Sequence, residues 1–140
     1  MGSWRAAVAV DHNGDGIVDP LLVHASDDPL LYLSDGCTAA GWLEVEAPHG
    51  SRVEVTAGGV TQTAWITTDS ACGGARLPRA HFGLGDAAQV DALTITLPGG
   101  DTIAAEAPFE ARRIVTLSDC LLYTSPSPRD LSTSRMPSSA

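Results

Sequence analysis

The chain has 140 residues and a formal net charge of −9, with 17 acidic and 8 basic residues. An acidic balance argues against nucleic acid and anionic membranes as partners, because both attract basic surfaces. No apolar run approaches the roughly 18 residues of a membrane-spanning helix. The length fits one ordinary domain, or a small domain with extensions.

Near the N-terminus, two strand-like apolar runs at 6–10 and 21–25 flank a stretch that reads D-x-N-x-D-G-x-x-D. Such a set of oxygen ligands suits calcium, which takes roughly six to eight of them. Gly16 supplies the tight turn that gathers these ligands. The predicted ligands are the side chains of Asp11, Asn13, Asp15 and Asp19 and the backbone carbonyl of Ile17.

Two alternatives to this calcium loop differ in strength. A helical EF-hand is disfavoured, because Leu22 stands where that motif needs a bidentate acid and Pro20 stands where its helix would begin. An ordinary Asp/Asn/Gly turn without metal remains open. Three aspartates in one turn repel each other unless a cation is present, which favours calcium.

The segment from Trp4 to about Leu33 resembles an FG-GAP, or VCBS-type, repeat of integrin-like β-propellers. In that family a loop of this form joins two strands of a blade and holds calcium. The resemblance implies that residues 1–36 are a partial repeat at the end of a propeller.

Further strand patterns follow, with turn signals between them and almost no helical periodicity. Gly58-Gly59 predicts a two-residue hairpin turn, and Pro98-Gly99-Gly100 predicts another turn. The pattern predicts an all-β fold, with an antiparallel sandwich or barrel after the partial blade. The predicted strands cover residues 42–47, 52–57, 60–67, 89–97, 101–105 and 112–117.

The second region resembles the ASPIC/UnbV domain, which follows FG-GAP repeats in cartilage acidic protein-like proteins. The resemblance rests on Gly50-Ser51-Arg52-Val53-Glu54-Val55, on Gly58-Gly59 and above all on the stretch H-F-G-L-G. It implies a β-domain over residues 37–118. The residues of the H-F-G-L-G stretch are His81, Phe82, Gly83, Leu84 and Gly85.

Several side chains in this region have more than one interpretation. His81 is either a functional residue or, as we favour, the anchor of a turn, since no nucleophile neighbours it. We expect Phe82 to be buried and its flanking glycines to form a turn. Glu44 and Glu46 share the strand face opposite the apolar one, where solvated carboxylates are favoured over an acid/base pair.

The cysteines allow one disulfide, between Cys37 and Cys72, or two unpaired thiols. The segment 119–140 is predicted to be a disordered tail. Back-translation of Cys120–Asp130 and Ser134–Ala140 resembles the two ends of a sequencing-library adapter. The alternative is an ordinary Ser/Pro-rich terminus.

Together these features predict a non-enzymatic, calcium-binding interaction or scaffolding module from an extracellular or cell-surface protein. The expected partner is a protein or glycan at the cell surface. The alternatives are an accessory domain of a secreted enzyme and a carbohydrate-binding module. No secretory signal is visible before the first strand, so we expect it outside this fragment.

Overall fold

A computed structural model describes residues 3–34, 40–68 and 77–118, together with the backbone of residues 121–126. Every regular element in these ranges is a β-strand, which confirms the predicted all-β fold. The described residues include no helix that is long and apolar enough to span a membrane. The proposed disulfide lies outside these ranges, because Cys37 and Cys72 both fall in the gaps.

The N-terminal part forms a three-stranded antiparallel sheet in the order β1-β2-β3. Its strands are β1 (Trp4–Val10), β2 (Asp19–His24) and β3 (Leu30–Leu31). Val8 pairs with Leu21 and Val10 pairs with Asp19 across the first two strands. The oxygen-rich loop therefore lies at one end of this sheet, between β1 and β2.

The rest of the chain forms two four-stranded sheets, in the orders β10-β9-β5-β6 and β13-β12-β4-β7, and a small β11-β8 pair. The β12 and β4 strands run parallel, in contrast to the antiparallel arrangement that the sequence predicts. The strands are β4 (Gly41–Glu46), β5 (Arg52–Ala57), β6 (Val60–Trp65), β7 (Arg79–Gly85), β8 (Gln89–Val90), β9 (Ala92–Thr96), β10 (Thr102–Ala104), β11 (Phe109–Glu110), β12 (Arg113–Ser118) and β13 (Leu121–Pro126).

The core lies between the two larger sheets and is built from alternate residues of their strands. On β5 the residues Val53, Val55 and Ala57 are buried, whereas the residues between them are partly exposed. Other strands contribute the same alternation, which is the pattern of a sheet with one covered face. The buried core also contains Leu43, Val45, Ile66, Phe82, Leu93, Ile95 and Val115.

The Gly58-Gly59 hairpin is confirmed. Both glycines have positive φ angles, 55° and 78°, as a type I′ turn requires. The predicted strand at 89–97 is divided into β8 and β9 at Asp91, whose backbone N–H donates to the carbonyl of Thr56.

Two predictions for local structure are wrong. Arg79–Gly85 is a continuous strand and not a turn around Phe82, and Gly83 lacks the positive φ of a turn. The tail is also not structureless throughout, because Leu121–Pro126 pairs with β12. An exposed strand edge offers unpaired N–H and C=O groups, and a run of Leu, Leu, Tyr and Thr favours strand pairing. The adapter resemblance of the tail stays a prediction.

Candidate functional site

The loop between β1 and β2 is wrapped around the carboxylate of Asp11. Asp11 Oδ1 accepts hydrogen bonds from the backbone N–H groups of Gly14 at 2.8 Å and Asp15 at 3.1 Å. Its Oδ2 accepts a third from Gly16 at 2.7 Å. Both glycines have positive φ, 71° and 82°, which side-chain-bearing residues rarely adopt. The first predicted ligand therefore organises the loop.

The next polar residues repeat this local pattern. The Asn13 side-chain oxygen accepts from the Asp15 N–H at 3.1 Å, and Asp15 Oδ1 accepts from the Ile17 N–H at 2.8 Å. The Asn13 amide also donates to Asp15 Oδ2 at 2.9 Å. Side chains of Asp and Asn commonly bond backbone groups two residues ahead in this way.

Asp19 has a different environment from the other predicted ligands. It is fully buried, and its two oxygens accept hydrogen bonds from the N–H groups of His12 at 3.1 Å and Ser34 at 2.7 Å. These bonds tie the start of the loop to the segment after β3. Within the described ranges, no three His, Cys, Asp or Glu side chains are grouped as a metal site. In this conformation the carboxylates of Asp11, Asp15 and Asp19 accept hydrogen bonds from backbone N–H groups, and the calcium site stays a prediction.

The donor types of the loop nevertheless fit a hard cation. Carboxylate, amide and carbonyl oxygens are the ligands that calcium takes. Asp11 Oδ1 accepts two hydrogen bonds, whereas Asp11 Oδ2 accepts one from Gly16. A carboxylate oxygen has about two lone pairs, so Oδ2 keeps acceptor capacity for a cation. The residues that would hold calcium are Asp11, Asn13 and Asp15 with the Ile17 carbonyl. Buried Asp19 would hold the loop in place through its hydrogen bonds with the N–H groups of His12 and Ser34.

The same loop packs directly on the second part of the chain. A Cβ added to Gly16 would overlap Nε1 and Cδ1 of Trp42, which means that the indole covers this glycine. Trp42 is buried, and it stacks on the His81 ring with 6.4 Å between centroids and 14° between planes. Gly16, Trp42 and His81 therefore form a continuous stack from the loop to β7.

We expect Gly16→Ala to displace the loop from Trp42 and to lower the free energy of unfolding by about 1–3 kcal/mol, the usual cost of overpacking. Trp42 fluorescence should shift to the red as the indole meets water, because Trp4 and Trp65 are already exposed. The matched control is Gly59→Ala. Gly59 also has a positive φ, but nothing lies within 4 Å of its added Cβ. An equal response of both variants would contradict close packing of the loop on Trp42.

Beside this stack lies a network of charged side chains on β4 and β7. Arg79 Nη1 donates to Glu44 Oε2 at 2.7 Å, and Arg79 Nη2 donates to Glu46 Oε2 at 2.9 Å. His81 Nδ1 lies 3.6 Å from Glu44 Oε1, too far for a hydrogen bond. The strand register creates the network, because Glu46 pairs with Arg79 and Glu44 with His81 across the ladder.

Glu44 is buried, so the expectation that it is solvated is wrong. Burial raises the pKa of its carboxyl, but the His81 ring and the Arg79 guanidinium lower that pKa by more, and the net value lies below 4.5. For Arg79, burial lowers the pKa, whereas its bonds and charge pairing with Glu46 and Glu44 raise it above the ordinary value. Glu44 and Arg79 are therefore both charged at neutral pH.

Sequence reasoning missed this network, although a signal for it exists. Trp42, Glu44 and Glu46 alternate on one face of β4, while Arg79 and His81 alternate on one face of β7. Opposite charges on two paired strands are a cross-strand signature. The signal becomes readable only when 79–85 is recognised as a strand.

A cleft of about 550 Å³ lies between the N-terminal sheet and the β4–β7 face. Glu44, Arg79 and His81 line it on one side, and Val8 and Leu21 line it on the other. The Nδ1 atom of His81 and the Nε atom of Arg79 are buried, and the described part of the chain offers neither of them a hydrogen-bond partner. The charged network therefore borders a half-open and largely apolar cleft.

Comparison with known proteins gives one family. None of the curated proteins compared with the chain matches it. The model of the family described as "ASPIC and UnbV" matches residues 46–119, just over half of the sequence. This match spans β5 to β12 and includes the H-F-G-L-G stretch. The chain belongs to the ASPIC and UnbV family.

Proposed function

We propose that this chain is a non-enzymatic, calcium-binding interaction module of an extracellular or cell-surface protein. We further propose that β1–β3 is the end of an FG-GAP-type repeat. The observation that carries the proposal is the packing of Gly16 on Trp42. It sets the oxygen-rich loop at the junction with the sandwich, where a bound cation would act on both parts.

Bound calcium would supply positive charge among the loop carboxylates. Residues of the chain would hold the loop in position. Asp11 holds the loop curled through its three backbone hydrogen bonds. Asp19 ties the loop to Ser34 by a hydrogen bond. Gly16 packs against Trp42, so a movement of the loop would move this indole. A cation that stiffens this loop would thereby fix the orientation of the N-terminal sheet on the sandwich.

One observation supports a non-enzymatic role. Arg79 bridges Glu44 and Glu46, which is the arrangement of a structural ion-pair network. We propose that the partner is a protein or a glycan at the cell surface.

Calcium at about ten times its dissociation constant should stabilise the folded chain by about 1.4 kcal/mol, because it binds only the native state. The expected dissociation constant is about 10⁻⁴–10⁻³ M, as in extracellular calcium modules. Magnesium should bind less well, since it demands octahedral geometry at shorter distances. Asp15→Ala should abolish the calcium effect. Thermal denaturation across a calcium titration measures all of these changes.

Asp101→Ala is the matched control, because Asp101 is an exposed aspartate in a turn of the sandwich. This variant should retain the full calcium effect. If wild-type protein shows no shift in melting temperature at millimolar calcium, the loop is an ordinary turn. If Asp15→Ala and Asp101→Ala shift equally with calcium, the cation binds elsewhere.

A further inference from the structure

The cleft between the N-terminal sheet and the β4–β7 face has the dimensions of a small-molecule site. Its volume of about 550 Å³ lies within the range of about 300–1,000 Å³ that such sites occupy. Its apolar walls include Val8, Val18 and Leu21 from the N-terminal part and Leu77 from the sandwich. Ligand sites typically combine such walls with a few polar groups.

The charged side chains in and beside the cleft carry an excess of negative charge. The Arg79 guanidinium in the lining faces two carboxylates, that of Glu44 in the lining and that of Glu46 beside it. Glu44 Oε2 accepts a hydrogen bond from Arg79, while Glu44 Oε1 lies 3.6 Å from His81 Nδ1 and accepts no hydrogen bond from the described residues. Asp11 adds a further carboxylate to the cleft lining. A charge without full compensation in a partly apolar site attracts a counter-ion.

Trp65 adds an aromatic group to this lining. It is 61% exposed, an unusual position for such a large apolar side chain. The face of an indole attracts cations through its quadrupole. An anionic ligand would be repelled by the carboxylates of Glu44 and Asp11, while the one guanidinium in the lining, that of Arg79, is already paired with Glu44 and Glu46. A polyhydroxylated ligand would lose hydration against the valine and leucine walls.

We propose that this cleft binds an organic cation with an apolar body, its charged nitrogen lying against Glu44 and its apolar part lying between Val8, Leu21 and Trp65. Arg79 supplies one positive charge for the two carboxylates of Glu44 and Glu46, and the cation would supply the second. The apolar part removes the aliphatic walls from water. Asp11 belongs to both the cleft lining and the predicted calcium ligands, whereas Glu44 and the apolar walls lie outside that ligand set, so the test is run without calcium.

The first test uses three probes of similar shape and different charge on the full chain: benzylammonium, benzyl alcohol and benzoate. Isothermal titration calorimetry without calcium gives their affinities, and NMR locates the perturbed indole signals. We expect benzylammonium to bind at least about tenfold more tightly than the other two probes. Loss of one partner of a desolvated charge pair commonly lowers affinity by at least that factor, and the two other probes lack the positive charge. The Trp65 indole signal should move on titration.

Two variants with matched controls locate the site. Glu44→Gln keeps the shape of the side chain and should weaken benzylammonium binding about tenfold, whereas exposed Glu106→Gln should not. Val8→Phe fills the cleft while leaving every charge in place, and it should abolish binding. Its control, Val60→Phe, changes an exposed valine outside the cleft lining and should bind normally.

Preference for benzylammonium that is lost in both cleft variants supports the proposal. Equal binding of benzoate and benzylammonium overturns the assignment of charge. Unchanged binding in folded Val8→Phe overturns the location. No benzylammonium binding at millimolar probe overturns the proposal as a whole, and it leaves the calcium titration unaffected. If Glu44→Gln does not fold, Val8→Phe alone decides the location and the three probes decide the charge.

Discussion

Phe82→Ala should lower the free energy of unfolding by about 3–5 kcal/mol, the range for removal of a buried aromatic ring. Phe82 is 2% exposed and lies in the core between the two larger sheets. It stands opposite Leu43 on the neighbouring strand, so its loss leaves a cavity among strands that cannot easily close. Denaturant unfolding followed by circular dichroism measures the change.

Tyr32→Ala is the control for this prediction, because Tyr32 is an exposed aromatic residue directly after β3. It should change the free energy of unfolding by less than about 0.5 kcal/mol. Phe82→Leu should cost less than about 1.5 kcal/mol and keeps the comparison measurable if the alanine variant does not fold. A loss below about 1 kcal/mol in Phe82→Ala would contradict tight packing of the ring.

Glu44→Ala should cost about 3 kcal/mol at neutral pH, because it leaves the Arg79 guanidinium partly buried with one of its two carboxylates missing. The value lies at the low end for a broken buried ion pair. Arg79 keeps Glu46 and its side chain is 26% exposed, so solvent screens part of the loss.

The same ion pair predicts a dependence on pH. The pKa of Glu44 is lower in the folded state than its ordinary value of 4.5. Its contribution to stability is therefore fully present above about pH 4.5 and is lost as the pH falls through the lower, folded-state pKa. The difference between wild type and Glu44→Ala should narrow over that acidic interval, as urea unfolding at a series of pH values would show.

Glu110→Gln is the control for both measurements. Glu110 bonds Arg113 at 2.7 Å, but its side chain is 74% exposed. Exposed pairs of this kind contribute less than about 1 kcal/mol. A loss in Glu44→Ala no greater than that in Glu110→Gln would show that the network is screened by water, as an ordinary surface pair is.

The strands that the sequence predicts best are those whose boundaries are set by local chemistry. Arg52–Ala57 alternates strictly and ends at the Gly58-Gly59 turn, so its bounds and its buried face are both readable. The Arg79–Gly85 strand is not readable in this way, because two glycines and a histidine weaken any strand signal. Pairing with β4 and burial of Phe82 override that local weakness.

The candidate site shows where reasoning from sequence ends. The order of Asp11, Asn13 and Asp15 identifies an oxygen-rich loop, but a carboxylate binds a backbone N–H as readily as a cation. Burial of Asp19 depends on Ser34, which is distant in sequence. Likewise, alternation assigns Glu44 to the outer face of its strand without showing that the N-terminal part covers that face.

Because β4 is an inner strand of its sheet, the smallest piece of this protein that can fold must include it. β4 lies between β7 and β12 in its sheet, yet the family match begins at residue 46, where this strand ends. A protein expressed from residue 46 would expose the inner edges of both neighbours, which favours aggregation by edge pairing. Because β12 joins β4 only after the chain is made as far as Ser118, the sheet closes late during synthesis, after a long-range contact forms.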